Sequence, residues 1–210
     1  MSETITINTS TNTYVTNMRE WNIKTLKAQE QWESQKWISA PGLCDLVINL
    51  VGKEKTIVGL EIGVASGWTM NHFLQNLPNL NLTGIDPYVG YMDGHIEITQ
   101  EMLDAQYLAA QDNISDFAPR GKILKGYSQD FVNLFENESL DYIFIDGDHS
   151  YEGALSDCEL FFPKIKNGGI FAGHDWSLNG VRQAVIEFKD RHGSPEIKFV
   201  REDVWYWIKK

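Results

Sequence analysis

The run Ile57-Val58-Gly59-Leu60-Glu61-Ile62-Gly63-Val64-Ala65-Ser66-Gly67 decides the fold. Six residues of strand character end in a turn containing two glycines, and the chain then enters a helical stretch over 67–76. The alternation continues downstream, with strands at 81–86, 121–125, 140–146 and 168–172 and helices at 96–117, 129–135, 151–162 and 179–191. Strands alternating with helices make a parallel sheet covered on both faces. Tyr142-Ile143-Phe144-Ile145 is apolar at every position, as a strand between two helical layers must be. The last apolar runs, 197–200 and 204–208, flank a short polar turn and read as an antiparallel hairpin that completes seven strands.

Upstream of residue 56 the pattern differs. Residues 1–13 are mostly Thr, Ser and Asn without helical spacing and read as a flexible tail. Tyr14, Met18 and Trp21, then Leu43, Leu46, Val47 and Leu50, fall at helical intervals, so 14–55 is expected to be a helical lead-in packed on the domain at 56–210. Trp21, Trp32 and Trp37 can cover the domain body, a pocket or a second copy of the chain, which gives a homo-oligomer a surface to use.

The 210 residues, 42% hydrophobic and 12% aromatic, suit one packed domain. A net charge of −11 repels nucleic-acid phosphates and anionic membrane surfaces, so the expected partner is a small molecule, with no nucleic acid and no membrane. Cys44 and Cys158 lie far apart without a CxxC, which fits buried thiols in a reducing compartment. There is no apolar run of the ~18 residues a membrane span needs, and no basic-then-apolar leader. A cytoplasmic protein is expected.

Ligands of doubly wound sheets sit beyond the carboxyl ends of the strands. A dinucleotide fingerprint wants glycine at 63, 65 and 68, yet Ala65 and Trp68 stand in the last two places, and no Gly-Lys-Ser/Thr of a P-loop follows. Glu61 before the turn would repel a pyrophosphate and attract a ligand ammonium. The turn resembles that of the class I S-adenosylmethionine-dependent methyltransferases, whose first motif is an acidic residue, Gly, three residues and Gly: here Glu61, Gly63 and Gly67. Asp86 closes the second strand 23 residues after Gly63, where a carboxylate can accept hydrogen bonds from both ribose hydroxyls, or where Asp86-Pro87 is simply a turn. Tyr88 would then pack beside the adenosine. Ser128, after the third strand, either touches adenine or caps the helix beginning near Gln129. The resemblance thus implies cofactor contacts from Glu61, Gly63, Gly67, Asp86, Ser128 and Asp146.

A second group follows the fourth and fifth strands: Asp146-Gly147-Asp148-His149-Ser150-Tyr151-Glu152-Gly153, and Gly173-His174-Asp175. Adjacent strand ends bring Asp146 and Asp175 to one crevice, and two carboxylates with open positions suit Mg²⁺, with His174 or Asp148 as a further ligand. The pair resembles a small-molecule O-methyltransferase subfamily that includes sugar O-methyltransferases of macrolide tailoring and, more remotely, catechol O-methyltransferases. The likeness spans roughly residues 40–208. It implies a Rossmann-like methyltransferase sheet, O-methylation of a small hydroxylated acceptor, Asp146 and Asp175 as metal ligands, and His149 as general base. His174 stands where that family often has an acidic residue, and an imidazole suits Mn²⁺, Fe²⁺ or Zn²⁺ better than Mg²⁺. Asp148 and Ser150 read as caps of the next helix, Glu152 and Asp157 as helix-surface charges, and 88–111 as an acceptor pocket, a lid or plain packing. The rivals are a non-catalytic cofactor-binding protein and a metal-dependent hydroxylase or hydrolase, which would keep Asp146, His174 and Asp175 without needing Asp86.

Overall fold

The computed structural model describes residues 2–8, 13–19, 39–52, 54–93, 96–193, 196–200 and 203–210. Trp21, Trp32 and Trp37, and the oligomer surface expected of them, lie outside the described residues. Strands β1 (Ser2–Asn8) and β2 (Thr13–Arg19) pair antiparallel, with Ser2 opposite Arg19 and Asn8 opposite Thr13. This corrects two expectations, a structureless tail at 2–8 and a helix at 14–19. The β-branched and aromatic content of Thr4-Ile5-Thr6-Ile7 and Thr13-Tyr14-Val15-Thr16 outweighs the helical spacing of Tyr14 and Met18. Helix α1 (Ser39–Val51) follows and buries Leu43, Cys44 and Val47.

From there the order is β3 (Ile57–Ile62), α2 (Trp68–Asn76), β4 (Leu80–Asp86), β5 (Tyr91–Asp93), β6 (Ile96–Ile98), α3 (Gln100–Ile114), β7 (Gly121–Lys125) and α4 (Ser128–Phe131). Then come β8 (Leu140–Ile145), α5 (Tyr151–Phe161), β9 (Ile165–Gly173), α6 (Asn179–Arg191), β10 (Lys198–Val200) and β11 (Val204–Ile208). The expected helix at 96–117 begins only at Gln100, because the β5–β6 hairpin takes its first residues and Thr99 caps the helix through Met102 N. The expected helix at 129–135 is one α turn and a 3₁₀ turn, Val132–Leu134.

Seven strands form one sheet in the order β10-β11-β9-β8-β3-β4-β7, with β11 antiparallel to both neighbours and the rest parallel. The expected Rossmann-like architecture with an antiparallel C-terminal hairpin is therefore the observed one. The chain winds outward from β3 through β4 to β7, then returns to β8 and β9 on the other side. That reversal opens a crevice at the carboxyl end of β3. Tyr142 and Phe144 face one layer with Leu43, Phe73 and Leu103, while Ile143 and Ile145 face the other with Phe161, Val185 and Phe188. In the second layer Trp205 stacks on Trp207 and Phe171 packs tilted against both, with centroids 5.0–5.8 Å apart, each pair adding about 0.5–1.5 kcal/mol beyond area burial.

Candidate active site

Backbone bonds carry the sheet past its strand ends: Gly63 N donates to Ile85 O (2.9 Å), Asp146 N to Ile62 O (2.7 Å) and His174 N to Ile145 O (2.9 Å). The turns after β3, β8 and β9 are thereby held side by side. Gly63 has φ +86°, and a Cβ there would lie 1.9 Å from the Asp146 carbonyl oxygen, so the first turn and the Asp146 loop touch through the space glycine leaves. Gly67 (φ +73°) is the N-cap of α2. Between them Ala65 takes φ +46°, a left-handed conformation costing roughly 1–2 kcal/mol in a non-glycine residue.

Asp86 sustains that strain. Its Oδ2 accepts from Val64 N (2.9 Å) and Ala65 N (3.0 Å), and its Oδ1 from Tyr88 N (2.8 Å). Asp86, expected to face a ribose, is observed as a clamp on the turn, and its Oδ1 keeps a lone pair for a further donor. Tyr88 does not lie open beside the crevice. It is buried, packs on Tyr107 with centroids 4.9 Å apart, and donates its hydroxyl to Ala65 O (2.8 Å). Asn113 from α3 donates to Ser66 O (2.7 Å).

Glu61 is 3% exposed. Burial, then the charges of Asp146 and Asp86, push its carboxyl well above the usual range, which favours the neutral form. A ligand ammonium would reverse that.

At the other end Asp175 is 5% exposed and, like Ala65, left-handed at φ +56°. Its Oδ2 lies 3.0 Å from His149 Nε2 and 3.2 Å from His174 Nδ1. Asp146 Oδ1 lies 3.7 Å from the same two ring nitrogens. Burial acts to raise Asp175, but the two imidazoles outweigh it and hold the carboxyl well below the usual carboxylate range. Burial dominates at Asp146 and raises it. The neighbouring carboxylates of Asp146 and Asp175 push half-exposed His149 up to about 10, so in this arrangement the ring is an imidazolium at neutral pH. Behind the group, Trp205 Nε1 donates to His174 O (3.1 Å), and the Trp205 ring occupies the space a Cβ on Gly173 would need, 2.2 Å away.

Asp146, His174 and Asp175 are the candidate metal ligands among the described residues, each offering one donor atom within 4.8 Å of the others. Two donors about 2.1 Å from a shared cation stand roughly 3.0 Å apart at right angles and 4.2 Å apart when opposite. The observed 3.2 and 3.7 Å spacings fit that range.

Sequence reasoning missed Asp157. Expected on the helix surface, it is 5% exposed, and its Oδ1 accepts the Ser128 hydroxyl proton. Tyr127, not Ser128, holds the N-cap position of α4, and no side chain caps that turn. Asp148 and Ser150 do serve the next helix: Asp148 Oδ1 accepts from Ser150 N (2.8 Å), and Ser150 Oγ accepts from Gly153 N (3.0 Å).

The glycine turn, with its left-handed Ala65, lies beside the carboxylate–histidine group at the switch point of this seven-stranded sheet. Residues 60–176, more than half of the chain, match the Methyltransf_24 family, described as a methyltransferase domain, and the chain belongs to that family. The mycinamicin III 3''-O-methyltransferase of Micromonospora griseorubida is 31% identical over 87 residues, 41% of this chain and 34% of that protein. The chain spans half or less of the length of the curated relatives it matches. The O-methyltransferase NovP superposes with a TM-score of 0.63 at 16% identity, over 82% of this chain and 80% of that one. The O-methyltransferase from Bacillus cereus in complex with SAH gives 0.58 at 13% identity, over 90% of each chain. At these identities the structures share the fold.

Proposed function

We propose that the protein transfers the methyl group of S-adenosylmethionine to a hydroxyl of a small acceptor such as a sugar. The observation that carries the reading is the contact of the two halves of the crevice, where Gly63 lies against the Asp146 carbonyl and Asp146 stands 3.7 Å from His149. A cofactor on the glycine turn would present its methyl to the histidine side of the same cleft. Glu61 suits the amino group of the methionine moiety, and the remaining lone pair of Asp86 Oδ1 suits a ribose hydroxyl. The SAH bound to the Bacillus cereus enzyme and the hydroxyl methylation named for the mycinamicin enzyme support the same chemistry.

Methyl transfer from a sulfonium is an in-line displacement, so the residues must align a hydroxyl and remove its proton. His149 is placed to take it. Asp146 and Asp175 hold a proton on its ring in this arrangement, and a cation held by those carboxylates would weaken that hold and leave the ring able to accept the proton of a hydroxyl. A divalent metal held by Asp146, Asp175 and His174 would lower the pKa of a bound hydroxyl. These carboxylates disfavour an anionic acceptor, which supports a neutral one. No helix among the described residues is long and apolar enough to cross a membrane. Cys44 and Cys158 are buried in the core, which supports a reducing compartment such as the cytoplasm.

Calorimetric titration with S-adenosylmethionine and S-adenosylhomocysteine, then turnover assays on sugars and catechols with and without chelator, tests the proposal. Binding of both nucleosides and methyl transfer to a hydroxyl is the expected result. No binding at millimolar ligand overturns it.

A further inference from the structure

Asp157 is a buried titratable group that the methyl-transfer chemistry does not use. It sits on α5, 5% exposed, beneath the loop after β8: a Cβ on Gly147 would lie 3.7 Å from Asp157 Oδ2. Its other oxygen accepts the proton of Ser128 Oγ. Ser128 stands two residues beyond Gly126, whose N–H donates to Asp86 O (3.0 Å), so the serine borders the crevice next to the proposed ribose position and on the side away from Glu61. A base attached to that ribose, with its methionine end toward Glu61, points toward Ser128.

We infer that Asp157 is a positioning residue that makes the crevice selective for an aminopurine, by fixing the Ser128 hydroxyl as a hydrogen-bond acceptor. An ionised carboxylate can only accept, so the Ser128 proton is committed to Asp157 and only the lone pairs of Oγ are left for a ligand. Burial pushes the Asp157 carboxyl up to about 6, still ionised at neutral pH. Adenine offers an exocyclic N–H donor to those lone pairs, whereas hypoxanthine offers an oxo group there and meets lone pair with lone pair. A free serine, able to rotate its proton toward either base, would accept both. This inference rests on the cofactor reading above.

The test is calorimetry with S-adenosylhomocysteine and S-inosylhomocysteine on wild type, Asp157→Asn, Ser128→Ala and the double variant. Wild type is expected to prefer the adenosyl compound at least tenfold. Asp157→Asn, whose amide can donate to Ser128 and free its proton, should cut that preference about five- to tenfold, and Ser128→Ala should do the same. Adding Asp157→Asn to Ser128→Ala should change the ratio no further, because Asp157 acts through the serine. Ser128→Cys, which leaves the carboxylate in place but accepts hydrogen bonds poorly, keeps the test alive if the Asp157 variants do not fold, and it too should lose the preference. An unchanged ratio in Asp157→Asn, or in Ser128→Cys where Asp157→Asn does not fold, overturns the inference while leaving the cofactor reading intact. Wild type binding neither compound overturns both.

Discussion

The two ends of the crevice are built from different materials. At the β3 end the working parts are backbone: a left-handed Ala65, glycines at 63 and 67, and N–H groups gathered onto Asp86. At the β8–β9 end they are side chains, two carboxylates and two imidazoles with their nitrogens and oxygens 3.0–3.7 Å apart. The first is fixed by covalent geometry and packing and holds its shape without a ligand. The second has its charge state set by mutual proximity and answers to any cation that enters. Binding and chemistry should therefore fail independently.

The sharpest way to break that separation is at His149. His149→Ala should lower turnover by roughly two to four orders of magnitude while S-adenosylhomocysteine affinity in calorimetry stays within about twofold, since a general base acts on the transition state. Equal losses in both would merge the two ends. Gly63→Ala attacks the backbone end, where the new Cβ meets the Asp146 carbonyl in a left-handed conformation. Denaturant unfolding should show a loss of about 2–4 kcal/mol, with cofactor binding falling alongside it.

Acidity separates the ends in another way. On α2, burial, partly offset by Asp45, pushes His72 down to about 4. Its unfolded value is near 6.5, so between these pH values the unfolded chain binds more protons than the folded one. Stability should rise with pH from about 4 to 6.5, by ~2–3 kcal/mol, and His72→Gln should flatten that slope in pH-dependent unfolding. Over that range the Asp175 carboxylate, held below the usual range, and the His149 imidazolium, held up at about 10, keep their charges, so this pair titrates outside the window in which His72 acts. The smallest effect is expected of Asp86→Asn, which weakens the clamp without removing its atoms. Cofactor affinity should drop by about 1–2 kcal/mol with turnover at saturating cofactor nearly unchanged.

Much of this was readable before the fold was known. The alternation of strands and helices from 56 onward set the sheet, because a strand buried on both faces, such as Tyr142–Ile145, must be apolar throughout. Glycines at 63 and 67 marked the turn, and Asp146 and Asp175 fell at adjacent strand ends by topology alone. What could not be read depends on contacts distant in sequence. Asp157 looks like an ordinary helix charge until α5 packs beneath the loop after β8, and no local pattern says that Asp86 will collect three backbone donors. Near the N-terminus two signals competed, and cross-strand pairing of β-branched residues prevailed over four-residue spacing.

Trp205 stands on β11, which lies inside the sheet between β9 and β10 although it follows both in sequence. During synthesis β9 is an exposed edge, and the His174 turn lacks its backing, until β11 slots in. The ribosome therefore delivers the glycine turn early and the strand that backs the carboxylate–histidine group last. A chain stalled before residue 204 holds every residue of the glycine turn and of the carboxylate–histidine group but lacks the tryptophan that backs His174.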